Sequence, residues 1–229
     1  MFTSVIIPAA GFGERMGASV SKQFLTLRGK PILIHTVERF QRCNEIAEIV
    51  ITAQRSAFAR IGFLVSEFHL TKVRPLVEGG ERRQDSVANA LNVVDPRADL
   101  IAVHDAVRPF LHKKILLQAI EKAAEYSAAV VAVRAKDTVK IGNDSAFVEK
   151  TLDRSSVWIA QTPQIFKREI LVHAYMLAKE KNIVATDDSS LVEQIGIQPV
   201  LVEGSYDNIK ITTPDDLEFA EALLRRFEG

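Results

Sequence analysis

Hydrophobic residues along this chain fall into two alternating kinds of run. Residues 4–8, 46–52, 72–77, 100–104, 128–134, 159–162 and 199–202 are short and apolar at most positions, the pattern of strands covered on both faces. The longer segments between them repeat with helical period. Pro31 stands at a first helical position, and Leu33, Val37 and Phe40 follow at i, i+4 and i+7. Val87, Leu91 and Val94 mark a second stripe, and residues 115–126 a third. The last helix has the most signals: Thr213 as N-cap, Pro214 next, Asp215 and Asp216 in the first turn, then Leu217, Ala220 and Leu224. This alternation predicts an α/β architecture around a mostly parallel sheet flanked by helices.

Residues 137–152 break the rhythm. They predict two short strands, 138–141 and 146–151, around the turn Gly142-Asn143-Asp144-Ser145. A hairpin inserted into a βα series projects, and it either meets a partner surface or packs on its own domain. No linker or repeat divides the chain, so one domain is expected over residues 1–229, with a β-arm at about 137–157.

Composition narrows the function. At 229 residues, 47% hydrophobic and 25% charged, the chain is no disordered or low-complexity protein. Lys+Arg and Asp+Glu both number 29, so no global field draws in nucleic acid or an anionic membrane. Any bound anion must meet a local cluster of cations. The single Cys43 excludes an intrachain disulfide and a multi-thiolate metal site. The opening residues carry no basic n-region, and no run approaches the ~18 apolar residues of a membrane span. A soluble, cytoplasmic protein is expected.

The strongest chemical signal follows the first strand: Pro8-Ala9-Ala10-Gly11-Phe12-Gly13-Glu14-Arg15-Met16-Gly17. Small residues at 9, 10, 11 and 13 let backbone N–H groups approach an anion closely. Met16 stands where a dinucleotide fingerprint needs glycine, and no Gly-Lys-Ser/Thr follows, so neither that motif nor a Walker A loop is present. Arg15 lies within the loop, and Lys22 follows seven residues later.

This loop, with Lys22-Gln23-Phe24, resembles the signature of nucleotidyltransferases that join a nucleoside monophosphate to a phosphorylated sugar or polyol. Further motifs are Gly79-Gly80-Glu81-Arg82-Arg83-Gln84-Asp85-Ser86-Val87, His104-Asp105-Ala106-Val107-Arg108-Pro109 and Asp153-Arg154 leading to Trp158-Ile159-Ala160-Gln161-Thr162-Pro163-Gln164. Thr186-Asp187-Asp188 and Asp207-Asn208-Ile209-Lys210-Ile211-Thr212 complete the set. Together, and in this order over nearly the whole chain, they are similar to the 2-C-methyl-D-erythritol 4-phosphate cytidylyltransferase family. The resemblance implies a Rossmann-like fold of the nucleotide-diphospho-sugar transferase type. It also implies transfer of CMP from CTP to a polyol phosphate with release of pyrophosphate, on the non-mevalonate route to isoprenoids.

Such a reaction forces two anions together, so it needs fixed cations, a divalent metal and backbone donors rather than a covalent nucleophile. By resemblance, Arg15 and Lys22 flank the triphosphate, and Arg154 and Lys210 hold the incoming phosphate. Ala9, Ala10, Gly11, Gly13, Gly80, Arg83 and Ser86 bind the nucleotide. Asp105, Arg108, Thr138, Thr162 and Thr186 join Arg154 and Lys210 around the polyol phosphate. Asp105 ends a strand at the carboxyl edge of the sheet, where open α/β sheets bind ligands, and it is the first expected ligand of Mg²⁺ or another divalent cation; by resemblance Asp207 is the second. Relatives carry an acidic residue followed by Glu where this chain has Glu81-Arg82, which leaves Arg82 without an assigned role. The resemblance also implies that the arm reaches across a two-fold axis, giving a homodimer in which Thr138 and Arg154 serve the partner's site.

Other residues have simpler readings. His35, His69, His112 and His173 lack metal-ligand spacing, and His104 is expected as a strand-end hydrogen-bonding residue. Two alternatives stay open: a ribitol 5-phosphate cytidylyltransferase, and a nucleotide-binding module without turnover. Residues 153–158 and Thr186-Asp187-Asp188 resemble the erythritol enzymes more closely, and a sensor needs no cations for transition-state charge.

Overall fold

The computed structural model of the chain describes residues 1–11 and 21–227. Its strands are β1 (Thr3–Pro8), β2 (Thr26–Leu27), β3 (Lys30–Pro31), β4 (Ile46–Ala53), β5 (Val77–Glu78), β6 (Leu100–Val103), β7 (Ala128–Arg134), β8 (Lys140–Gly142), β9 (Val148–Thr151), β10 (Trp158–Lys167) and β11 (Val200–Glu203). Its helices are α1 (Ile32–Gln41), α2 (Phe58–Glu67), α3 (Arg83–Leu91), α4 (Lys113–Tyr126), α5 (Arg168–Glu180), α6 (Asp188–Glu193) and α7 (Pro214–Phe227).

Seven strands form one sheet in the order β11-β7-β10-β6-β1-β4-β5. Strand β10 runs antiparallel to both neighbours, whereas the other pairings are parallel. The mostly parallel sheet flanked by helices is thus as expected, as is a hairpin, β8–β9, inserted before β10.

The apolar strands divide their side chains between two layers, as the two-residue period of a strand requires. Val5, Ile7, Ile49, Ile51 and Ala102 join the core with Leu33, Val37 and Phe40 of α1 and Leu116 and Ile120 of α4. Ile6, Val50, Ile101 and Val103 face the opposite layer, with Val87 of α3, Leu171 and Tyr175 of α5 and Leu191 of α6. A third cluster holds Leu223 and Leu224 of α7 against Leu27, Val107, Phe110 and Ile211. Residue Thr213 caps α7 as expected, its hydroxyl accepting from the Asp216 N–H at 3.3 Å.

Several boundaries differ from the sequence-based expectation. The strand expected at 72–77 is reduced to β5, with an isolated bridge from Val73 to Ile49. Pro75 lies between them without an N–H for the ladder. The strand expected at 159–162 is the front half of the ten-residue β10. Pro163 stops the ladder locally, and the β7 register shifts between Ala160 and Gln164. Pro31 precedes α1 as its N-cap rather than opening it. The arm strands are shorter than expected because Asn143 organises a wider turn, its Oδ1 accepting from the N–H groups of Ser145 at 3.1 Å and Phe147 at 3.0 Å. Helices α2, α5 and α6 were not among the expected elements, although Leu171, Ala174, Tyr175 and Ala178 bury a helical stripe in α5. No helix among the described residues is long and apolar enough to cross a membrane.

Candidate active site

The carboxyl ends of β1, β4, β5 and β6 open into a cavity of about 600 Å³, at the edge where open α/β sheets bind ligands. Two small-residue turns face each other across it. Ala9 gives its N–H to the Thr52 carbonyl at 2.7 Å, and Gly79 gives its N–H to the Ala53 carbonyl at 2.9 Å. A Cβ on Gly79 would lie 2.2 Å from Ala10 Cβ, so this approach requires glycine. Two glutamines buttress the first turn: Gln23 Nε2 donates to the Ala9 carbonyl at 2.7 Å and Gln54 Nε2 to that of Ala10 at 3.1 Å. Gln23 stands within a quoted motif, but Gln54 carries no local signal, and neither was expected in the site.

Cations surround the turns. Lys22, Arg55, Arg82, Arg83 and Lys210 line the cavity, with Glu78, Glu81 and Asp105 as the acidic lining. A chain of zero net charge therefore gathers cations where the sequence required them locally. Arg15 and Gly13 lie outside the described residues, whereas Ala9, Ala10, Gly11, Gly80 and Ser86 line the cavity. Ser86 builds the second turn from beneath: its hydroxyl accepts from the Gly80 N–H and donates to the Arg82 carbonyl, both at 3.1 Å. Arg82 forks onto Asp85 at 2.9 and 2.8 Å.

Asp105 sits on the cavity floor, 7% exposed. Its Oδ1 accepts from Arg83 Nε at 3.1 Å, and its Oδ2 meets Lys210 Nζ at 2.9 Å and Arg108 Nε at 3.5 Å. Burial opposes ionisation of this carboxyl, but Arg83, Lys210 and Arg108 outweigh it and hold its pKa well below the usual carboxylate range. Arg83 also pairs with Asp188 Oδ2 at 2.8 Å. Burial disfavours its charge, and the two aspartates more than restore it.

A second line of hydrogen bonds fixes the strand end. The Asp105 N–H donates to Thr162 Oγ1 at 3.0 Å, and Thr162 Oγ1 lies 3.1 Å from His104 Nδ1. His104 Nε2 lies 3.0 Å from the Arg108 carbonyl. A carbonyl only accepts, so Nε2 carries the imidazole proton and Nδ1 accepts from the Thr162 hydroxyl. The Thr162 hydroxyl, expected at the polyol, is engaged on both sides within the protein, and the residue is 5% exposed. The register shift at Pro163 turns it toward Asp105.

Burial lowers the His104 pKa to about 4. The folded state keeps it neutral, whereas the unfolded chain protonates near 6.5. Its contribution is present above pH 6.5 and is lost as pH falls toward 4, by about 3 kcal/mol in all. Urea unfolding at successive pH values should show stability falling across that window; a flat profile between pH 6.5 and 5 would refute it.

Other expected site residues lie elsewhere. Arg108 is largely buried beside Asp105 and donates to the Asn208 carbonyl at 2.7 Å. Asp207 is not in the cavity wall; it faces Arg226 at 3.8 Å and His112 at 3.9 Å. Its expected role as second metal ligand is not displayed by these contacts, which engage the carboxylate with Arg226 and His112. Thr138, Arg154 and Thr186 are exposed and lie outside the cavity of their own chain. Arg154 donates to the Lys136 carbonyl at 3.0 Å, at the arm's root.

Among the described residues no group of three or more His, Cys, Asp or Glu side chains converges on a metal position. Asp105 alone, with both oxygens on cations, does not make a site for a resident ion. It fits an ion that arrives on a polyphosphate, since Mg²⁺ takes few protein carboxylates and fills its shell with phosphate oxygens and water.

Comparison with known proteins agrees with this geometry. The family model described as IspD, 2-C-methyl-D-erythritol 4-phosphate cytidylyltransferase, matches residues 3–226. The protein of that name from Syntrophus aciditrophicus is 44% identical over 225 residues, covering 98% of this chain and 96% of its own. Its Symbiobacterium thermophilum counterpart is 47% identical over 221 residues, covering 96% and 92%. Among solved structures, the 4-diphosphocytidyl-2C-methyl-D-erythritol synthase of Anaerococcus prevotii superposes with a TM-score of 0.88 at 33% identity, covering 98% of this chain and 96% of that one. The Francisella tularensis cytidylyltransferase gives 0.82 at 36%, covering 97% and 100%. The chain belongs to the 2-C-methyl-D-erythritol 4-phosphate cytidylyltransferase family.

Proposed function

We propose that this chain transfers CMP from CTP to 2-C-methyl-D-erythritol 4-phosphate, giving 4-diphosphocytidyl-2-C-methyl-D-erythritol and pyrophosphate. The observation that carries the reading is the meeting of two close backbone turns with Lys22, Lys210 and Asp105 in one cavity at the carboxyl edge of the sheet. A phosphate oxygen of the polyol attacks the α-phosphorus of CTP; a new P–O bond forms as the α–β bridge breaks, and pyrophosphate leaves. No covalent group is needed, and the protein's part is positioning and charge stabilisation.

The turns at Ala9–Gly11 and Gly79–Gly80 receive the nucleotide, with Ser86 holding the second turn from behind and Arg83 lining the cavity beside it. Lys22 lies against the triphosphate, and the family resemblance assigns Arg15 the same role. Lys210, tethered 2.9 Å from Asp105, meets the acceptor phosphate. Asp105 is the cavity-floor carboxylate that would meet a divalent ion, Mg²⁺ or another, and such an ion would supply charge neutralisation at the phosphates.

Thr138 and Arg154 complete the acceptor site across a homodimer, and Thr186 is carried over by the family resemblance as a weaker polyol contact. The arm supports this: β8 and β9 are exposed throughout, and Ile141, Phe147 and Val148 are 42%, 72% and 62% exposed near its tip. An apolar tip on a projecting hairpin calls for a partner surface. Both substrates are phosphorylated and water-soluble, which supports a cytoplasmic location with no membrane or nucleic-acid partner.

The direct test is pyrophosphate release with CTP and each polyol phosphate in turn. Turnover is expected with the erythritol phosphate. Turnover with ribitol 5-phosphate alone would reassign the acceptor, and nucleotide binding without release would leave only a binding module.

A further inference from the structure

Behind Asp105 runs a line of buried groups for which cytidylyl transfer, as set out above, has no use. Tyr175 of α5 and Asp188 of α6 are 8% and 0% exposed. The Tyr175 hydroxyl donates to Asp188 Oδ1 at 2.5 Å. Asp188 Oδ2 meets Arg83 Nη2 at 2.8 Å, and Arg83 Nε reaches Asp105 Oδ1 at 3.1 Å. Apart from that ion pair, Asp188 Oδ2 has no hydrogen-bond partner among the described residues. The line ends at Lys210, 2.9 Å from Asp105 Oδ2.

We propose that Tyr175 and Asp188 are positioning residues for the transfer reaction: by fixing one end of the Arg83 guanidinium they hold Asp105, and through it Lys210, in place at the cavity. The inference rests on the proposed function and adds two residues to it. A guanidinium is a rigid fork that chelates a carboxylate with both arms when it can. Without Asp188, Arg83 would turn both arms on Asp105 and draw that carboxylate away from Lys210. Asp188 occupies one arm, which leaves Asp105 Oδ2 for the lysine. The Lys210 side chain is 40% exposed on a long, flexible stem, so its ammonium is placed only as firmly as Asp105 is.

The anchor itself is rigid. Gln84, next to Arg83, donates to the Ile183 carbonyl at 3.0 Å and accepts from the Ala185 N–H at 3.1 Å. Gln164 Nε2 donates to Asp187 Oδ2 at 2.7 Å, and Asp187 caps α6 by accepting from the Ser190 N–H at 3.0 Å. Tyr175 and Asp188 are therefore held against α3 and β10 whatever the cavity contains.

The test compares full-length wild type, Tyr175→Phe and Asp188→Asn by steady-state kinetics per folded site, alongside thermal unfolding. Tyr175→Phe should lower kcat ~3–10-fold and Asp188→Asn ~10–100-fold. In both, KM for the polyol phosphate should rise while KM for CTP stays within about twofold. If Asp188→Asn does not fold, Tyr175→Phe decides alone. Wild-type kinetics in Tyr175→Phe would overturn the inference, as would a loss explained wholly by less folded protein, or an equal rise in both KM values. A wild type that transfers to no polyol phosphate overturns the functional reading and this inference with it, and that failure shows before any substitution is made.

Discussion

Lys22→Ala is expected to lower kcat by about 10²–10³-fold, with a much smaller change in KM for CTP. The ground-state triphosphate is gripped by many groups, and losing one cation weakens it little. Negative charge grows on the attacked phosphorus and on departing pyrophosphate, and there a preorganised donor contributes about 3–4 kcal/mol. Lys22 is suited to this because its neighbours fix it. It opens the 3₁₀ turn Lys22–Phe24, in which Gln23 is clamped to the Ala9 carbonyl at 2.7 Å and Phe24 is buried. Steady-state kinetics of the purified variant check the prediction. Wild-type turnover would remove Lys22 from the mechanism, and a rise in KM with kcat intact would make it a ground-state contact only.

The second large effect concerns the arm. Arg154→Ala should be nearly inactive, with a loss of the same order, about 10²–10³-fold. Mixed with Lys22→Ala by co-refolding, it should regain activity. In a mixed dimer one cavity carries both defects, while the other combines an intact Lys22 with the partner's intact Arg154. Random pairing makes half the dimers mixed, so about a quarter of wild-type sites should return. Were each arm to fold back on its own cavity, both sites of the mixed dimer would stay defective and the mixture would match its parents. The arm's root also touches the loop that carries Asp207 and Lys210. Lys136 lies over the Tyr206 ring at 3.4 Å, and the Tyr206 hydroxyl donates to the Arg134 carbonyl at 2.5 Å.

Much of the fold was legible because its signals are local. The apolar runs at 46–52 and 128–134 became β4 and β7 nearly residue for residue. Thr213, Pro214 and Asp216 mark the start of α7 within a few positions of sequence, and there the helix begins. Pro75 and Pro163 were harder to place, since a missing N–H interrupts a ladder without saying on which side pairing resumes. Helix α5 carries a readable stripe, whereas α6 is six residues long, too short for period alone to reveal. In the site, Ala9–Gly11, Gly79–Gly80 and Lys22 could be found because close backbone approach and nearby charge leave their mark in adjacent residues. The bonds of Thr162 to Asp105 and His104 were not legible, because residue type does not tell which groups a hydroxyl faces.

The sequence by itself determined where chain segments become strand or helix, that no global field attracts a polyanion, and that a small-residue turn follows the first strand. Those properties depend on residues a few positions apart. Only the tertiary structure decided that Arg83, Asp105, Asp188 and Lys210 share their charges, that Asp207 turns to Arg226, and that Thr162 supports Asp105. Those partners are tens to a hundred positions apart in the chain. Which carboxylate takes which arm of a guanidinium depends on distances in space, and those exist only once the sheet has assembled.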